Sequence, residues 1–487
     1  MWAAAAPLAP APAAAADARP DLLPCRLTGV EHGALCGSLR RPLDPAQPAG
    51  THIDVHFAVL PALARNRKAD PVFFFAGGPG QSALELAGGV SRLLSRLSNR
   101  RDLVLIDQRG TGQSAPLRCE ALPPGTPLAQ GVDPARQLQR YDECLKQLLK
   151  LPHGDLRHYT TWLATLDADA VRQRLGAERI NLVGGSYGTR AVLDYMRQFP
   201  HSTRRAVIDG AAPPDMVLPA ASSADSQAAL DAVFQACETE AACQRRYPAL
   251  RAEFSALMKS LPRVFTVAHP LTGAIESLSL NRDALMSLLR APLYSPALAA
   301  ALPAALHEAA QGRLAPLAGL ASALGGSGGG RRLGQLYEGM HFSVICSEDL
   351  PRLDQSTEVP AADFGRGFAE HYRAVCKAWP LGPVPAEFYK LPVTEHATLV
   401  LSGGADPATP PRHGQRVAQA LGPRARHQVV MHAGHGVMAL PCMRDVLYRF
   451  IDADSDADAL QVDAGCAAKV PRPPAFLPLA SPAVPAR

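Results

Sequence analysis

Six short apolar runs recur along the chain: Val72–Phe75, Leu103–Asp107, Ile180–Gly184, Ala206–Asp209, Thr398–Ser402 and Gln428–Met431. Glycine, aspartate or proline marks their ends. A strand with one wet face alternates polar and apolar residues, so continuous apolar runs of this length read as parallel strands covered on both faces. Ile53–Leu60 does alternate and reads as an edge or antiparallel strand. Helical patterns fall between the runs, at Leu84–Leu97, Thr161–Leu175, Thr189–Phe199 and Arg412–Leu421. This order predicts an α/β fold built on a mostly parallel, doubly wound sheet.

The alternation stops between about Pro213 and Pro392. That stretch is rich in Ala and Leu and reads as helices at Ala220–Glu238, Tyr247–Leu261, Asn281–Leu289, Ser295–Gln311 and Phe364–Trp379. It is too long for a loop and predicts a helical cap inserted into the sheet domain. The glycine-rich run Gly325–Gly330 within it reads as a flexible segment. The expected organisation is a signal-like or disordered segment at 1–24, a core at 25–212, a cap at 213–392, a second core part at 393–466 and a Pro-rich tail at 467–487.

A net charge of +5 without a Lys/Arg run gives no reason to expect a nucleic-acid partner. No stretch reaches about 18 uncharged apolar residues, so no transmembrane helix is expected. The first 24 residues are rich in Ala and Pro and resemble the apolar part of a secretory signal, without its basic start. The ten cysteines include no C-x-x-C pair and no Cys/His cluster with zinc spacing, so no metal or cofactor is implied. Their spacing favours disulfides between sequence neighbours in an oxidising compartment, periplasmic or secreted.

Asn181–Thr189 contains Gly184-x-Ser186-x-Gly188, directly after a predicted strand and before a predicted helix. A strand-to-helix turn this tight strains the serine, and side chains two residues to either side would clash. The serine oxygen then sits at a helix N-terminus, which favours negative charge. Ser186 is therefore the candidate nucleophile. It needs a base, and the order expected on this kind of sheet is Ser, acid, His. Asp406 and His435 follow the last two strands and are the candidate acid and base. Asp209 is the runner-up acid, and His432, at a strand end, reads as structural. The loop Ala76-Gly77-Gly78-Pro79-Gly80 can aim backbone N–H groups at an oxyanion, so the hole is assigned to the N–H groups of Gly78 and Tyr187. No Gly-Lys-Ser/Thr follows, which argues against a phosphate loop. Asp107–Ser114 reads as a rigid turn shaping the pocket wall, with Arg109 held in an ion pair.

Four motifs carry a family resemblance: G-G-P-G at 77–80, D-Q-R-G-T-G-Q-S at 107–114, G-G-S-Y-G-T at 184–189, and the G-A-D-P and G-H-G pair at 404–407 and 434–436. Together they resemble the prolyl iminopeptidase and tripeptidyl aminopeptidase family of α/β-hydrolase serine exopeptidases. The resemblance spans about Cys25 to Cys442. Ala76 departs from it, because iminopeptidases usually carry His before G-G-P-G. The resemblance implies peptide substrates with a free N-terminus, cut through an acyl-enzyme. A carboxylate must then pair with the substrate's ammonium, and Glu348 and Asp349 in the cap are the candidates. An esterase or amidase acting on small non-peptide substrates would use the same triad. A catalytically inactive, hydrolase-like binding protein is the third reading. Oligomeric state is not legible.

Overall fold

Eleven strands are present in a computed structural model that describes residues 22–123, 125–269, 271–325 and 336–478. They are β1 (Leu23–Cys25), β2 (Ala34–Pro42), β3 (His52–Leu60), β4 (Val72–Phe75), β5 (Leu103–Ile106), β6 (Ile180–Gly185), β7 (Thr203–Asp209), β8 (Arg263–Ala268), β9 (Ile275–Leu280), β10 (Thr398–Gly403) and β11 (Ala425–Val430). Nine of them form one sheet in the order β1-β2-β3-β5-β4-β6-β7-β10-β11. From β5 to β11 every neighbour is parallel. β1, β2 and β3 add an antiparallel flank. β3 is antiparallel, as its alternation suggested, but it lies inside the sheet between β2 and β5.

The inner parallel strands are largely apolar because both of their faces are covered, whereas β11 at the sheet edge carries Arg426, His427 and Gln428 and is mostly half-buried. Leu182 and Val183 are neighbours on β6 and point to opposite sides. Val183 packs with Val90, Val446 and Phe450 from helices on one face. Leu182 packs with Val171, Val192 and Val417 on the other. The helix expected at Leu84–Leu97 is shorter, Ala87–Leu93. It contains Gly88 and Gly89, which weaken helix propensity. Gly88 is needed there, since a Cβ would fall 2.9 Å from the backbone of Gly29.

The chain leaves the sheet after Asp209 and re-enters it at Thr398. The insertion is largely helical, with its own apolar core around Phe234, Phe254, Leu285 and Leu306. It also holds the hairpin β8–β9, which a purely helical reading missed. The signal there is an alternation of period two: Phe265, Val267, Leu278 and Leu280 are buried while Val264 and Ile275 face solvent. Most of segment 1–24, residues 326–330 of the glycine-rich run and the end of the tail at 479–487 lie outside the described residues. Among the described residues, no helix is long and apolar enough to cross a membrane.

All ten cysteines pair with their sequence neighbours: Cys25–Cys36, Cys119–Cys144, Cys237–Cys243, Cys346–Cys376 and Cys442–Cys466. Such bridges are what an oxidising, extracellular type of compartment permits. Cys346–Cys376 closes the longest loop, with a sequence separation of 30. Replacing both cysteines with Ala is expected to lower stability by about 3–4 kcal/mol, the loop-closure contribution at this length. Urea unfolding of the double variant checks this, and an unchanged midpoint would contradict it.

Candidate active site

β6 ends in Gly185, and the helix Gly188–Gln198 starts three residues later. Ser186 stands in that turn at φ +56°, in the left-handed region that non-glycine residues avoid. Strain of this kind persists only where the surroundings impose it. The neighbouring glycines show what imposes it. A Cβ on Gly184 would lie 2.6 Å from the Gly188 carbonyl oxygen, and one on Gly188 would lie 2.1 Å from the Phe75 carbonyl oxygen. The Ser186 N–H donates to the Asp209 carbonyl at 2.8 Å, which ties the turn to the end of β7.

His435 Nδ1 lies 2.8 Å from Asp406 Oδ2. Asp406 is buried and also accepts from the N–H groups of Ala408 and Thr409, at 2.8 and 2.9 Å. Burial disfavours the Asp406 anion, but His435 and these donors outweigh it and hold the carboxyl below its usual range. For His435, burial opposes the charged ring, yet the Asp406 carboxylate prevails and raises its proton affinity above the ordinary 6.5. With Nδ1–H donating to Asp406, Nε2 is left as the basic nitrogen. Gly210 joins the two halves of the site. Its φ is +66°, and a Cβ there would fall 2.7 Å from Thr409 Oγ1 and 3.5 Å from both Asp406 Oδ2 and His435 Cε1.

The Gly77–Gly80 loop runs beside the serine: a Cβ on Gly77 would sit 3.3 Å from the Ser186 Cβ. The cap holds this loop from above. Tyr337 N–H donates to the Gly80 carbonyl at 2.8 Å, and His341 Nδ1 is 3.0 Å from the Pro79 carbonyl oxygen. Tyr187 begins the helix after Ser186, and its buried hydroxyl accepts from Gln108 Nε2 at 2.9 Å. Gly78, Tyr187 and Ser186 all line one cleft of about 710 Å³ between sheet and cap. Among the described residues, no group of three or more His, Cys, Asp or Glu side chains is placed to hold a metal ion.

Glu348 and Asp349 are elsewhere. Both are fully buried and neither lines the cleft. Arg190, on the helix after Ser186, donates to Glu348 at 3.2 Å and to both Asp349 oxygens at 3.0 and 3.2 Å. Thr161 N–H at 2.6 Å and Leu218 N–H at 3.0 Å complete the two carboxylates. The expectation that they meet a substrate ammonium is corrected on this point: their acceptors are already taken by a buried cation that joins cap to core. Asp209, the runner-up acid, accepts from Met438 N–H at 2.7 Å, and burial pushes its carboxyl up to about 6. Its hydrogen bonds go to that backbone rather than to the His435 ring. His432 is exposed and bonds the Val470 carbonyl. Arg109 is paired with Asp167 at 2.7 Å, in the structural role expected of it.

Three contributors escaped the sequence reading. Thr409 Oγ1 donates to Asp406 Oδ2 at 2.8 Å; the Asp-Pro-x-Thr spacing of a side-chain-capped turn was its available signal. Tyr294 comes from the cap. Its carbonyl accepts from His435 N–H at 3.1 Å, and its ring packs edge-on to the imidazole at 5.1 Å between centroids. Nothing local in sequence marks it. Gly210, after β7, likewise carried no motif.

A family model described as alpha/beta hydrolase fold matches residues 70–236, and one described as TAP-like protein matches residues 360–458. The chain has the α/β-hydrolase fold. Serine protease Hip1 of Mycobacterium tuberculosis (strain ATCC 25618 / H37Rv) is 28% identical to this hydrolase over 432 residues, covering 82% of each chain. Tripeptidyl aminopeptidase of Streptomyces lividans is 29% identical over 190 residues, 37% of this chain and 35% of that protein. Proline iminopeptidase of Xylella fastidiosa (strain Temecula1 / ATCC 700964) is 26% identical over 186 residues, 38% of this chain and 41% of that one. These relatives carry peptidase names and support reading this hydrolase as a peptidase.

Proposed function

We propose that this hydrolase is a serine exopeptidase of the periplasm or the exterior that cuts peptide bonds near a free N-terminus, through an acyl-enzyme. The observation that carries the reading is the strained Ser186 turn, tied through Asp209 and Gly210 to a His435–Asp406 hydrogen bond of 2.8 Å. Ser186 Oγ attacks the scissile carbonyl while His435 Nε2 takes its proton. Asp406 fixes the tautomer and stabilises the imidazolium. The N–H groups of Gly78 and Tyr187 hold the oxyanion. His435 then protonates the leaving amine, and water releases the acyl group from Ser186.

The ammonium requires a different partner from the pair named on sequence grounds. Two carboxylates line the cleft, Asp283 and Glu338. Glu338 is already paired in a fork with Arg140, at 2.7 and 2.8 Å. Asp283 is exposed to the cleft and has no cationic partner among the described residues. It is the anchor that this reading selects.

The test is hydrolysis of one tripeptide anilide with a free or an acetylated amine, with Ser186→Ala as control. Only the free-amine form is expected to be cleaved. Asp283→Asn is expected to raise KM for it about tenfold, the scale of one charge-assisted hydrogen bond. Equal cleavage of both forms would sink the exopeptidase reading in favour of an amidase. A KM untouched by Asp283→Asn would remove the anchor alone.

A further inference from the structure

We infer that Arg290 forms a subsite for a substrate carboxylate beside the scissile bond; the inference rests on the exopeptidase reading of the same cleft. Arg290 lies on the helix Arg282–Leu293, whose other polar contributions to the cleft are Asp283 and Ser287. Arg290 is half-buried, and among the described residues it has no carboxylate partner, unlike the fully buried arginines around the site. Arg109 has Asp167, and Arg190 has Glu348 and Asp349.

Its guanidinium is nonetheless held in place. Nε donates to Ser226 Oγ at 3.1 Å. The group lies 4.9 Å from the Phe368 ring centroid and 5.3 Å from that of Tyr294. One edge is tied, two aromatic rings flank the group, and the side chain lines the cleft with no hydrogen-bond partner for its two terminal nitrogens among the described residues. Tyr294 is one turn further along and packs its ring against His435. The charge of Arg290 also weighs against protonation of His435, beneath the larger effects of burial and of Asp406. The cation is thus close to the reacting centre.

An arginine costs free energy when half-buried and unpaired, and it is offset best by a planar anion. The fork of N–H donors matches a carboxylate through two parallel hydrogen bonds. The ligand is therefore a carboxylate of the substrate. It has two sources: an Asp or Glu side chain next to the scissile bond, or the C-terminal carboxylate of a short peptide.

The experiment uses the full chain and free-amine tetrapeptides in matched pairs. Glu is set against Gln on each side of the cleaved bond, and a free C-terminal acid against its amide. The wild type is expected to favour one acidic member by roughly 10- to 100-fold in kcat/KM, the range of a charge-assisted hydrogen bond. The member favoured identifies the source. Arg290→Gln is expected to abolish the preference, and Arg290→Lys to retain only part of it, because the fork is lost. Absence of any preference in the wild type overturns the subsite. So does a preference that survives Arg290→Gln at full size. Should Arg290→Gln not fold, a preference left whole by Arg290→Lys overturns it equally. Acetylated peptides cut as fast as free ones would instead fell the exopeptidase reading, while the ratio of acid to neutral substrate still reports on Arg290.

Discussion

Asp406→Asn is expected to lower kcat/KM by about 10⁴-fold while leaving the fold intact, the scale seen when a triad carboxylate becomes an amide. The amide presents either an N–H or a carbonyl to His435 Nδ1, and the N–H orientation selects the tautomer with its proton on Nε2. That nitrogen then cannot accept from Ser186. The pH profile adds an independent readout. Catalysis needs the neutral imidazole, and Asp406 raises the proton affinity of His435 despite the opposing effect of burial. In the wild type, activity is therefore lost as pH falls through a value above 6.5, the ordinary histidine value. Without the carboxylate, burial dominates and the residual activity should persist to lower pH. A drop of less than tenfold, or an acidic limb that does not move, would show that Asp406 is not the orienting acid.

Arg190→Met is expected to cost about 3–5 kcal/mol of stability, the penalty for breaking a buried ion pair from one side. It strands Glu348 and Asp349, both without solvent access, 158 and 159 residues away in sequence. Burial already pushes the Glu348 carboxyl up to about 7, against the pull of Arg190. In the variant that pull is gone, so the folded state binds protons that the unfolded chain releases near pH 4.5. Between those limits stability falls as pH rises, and the loss is greatest at neutral pH and smaller near pH 5. Denaturant midpoints at the two pH values check this. Equal losses at both would mean that the carboxylates find other partners.

Legibility followed physical scale. β4, β5, β6, β7 and β10 were readable because covering both faces of a strand leaves an apolar run, whereas β11, a half-buried edge strand at Ala425–Val430, was found only in its second half by the run expected at Gln428–Met431. The Ser186 turn was readable because two backbone approaches exclude any Cβ at Gly184 and Gly188, so the constraint is written in adjacent residues. The pairing of Glu348 and Asp349 was not readable. Two adjacent acids in an apolar helix look like a site, and their cation is fixed only when the cap docks on the helix after Ser186. Tyr294, Asp283 and Arg290 reach the cleft for the same reason: which cap helix overlies the sheet depends on tertiary packing. The β8–β9 hairpin had a local signal, but it was short and surrounded by Ala-rich helices.

The five bridges also bear on how the chain reaches this state. Each joins a cysteine to the next one along, with separations from 6 to 30 residues, and no bridge spans another. A chain that meets an oxidant gradually from its N-terminus can therefore close each pair as it emerges. The order of emergence is itself the correct order of pairing, so no wrong bridge must be undone before the next is made. Interleaved bridges would instead have required that some early pairs be reshuffled.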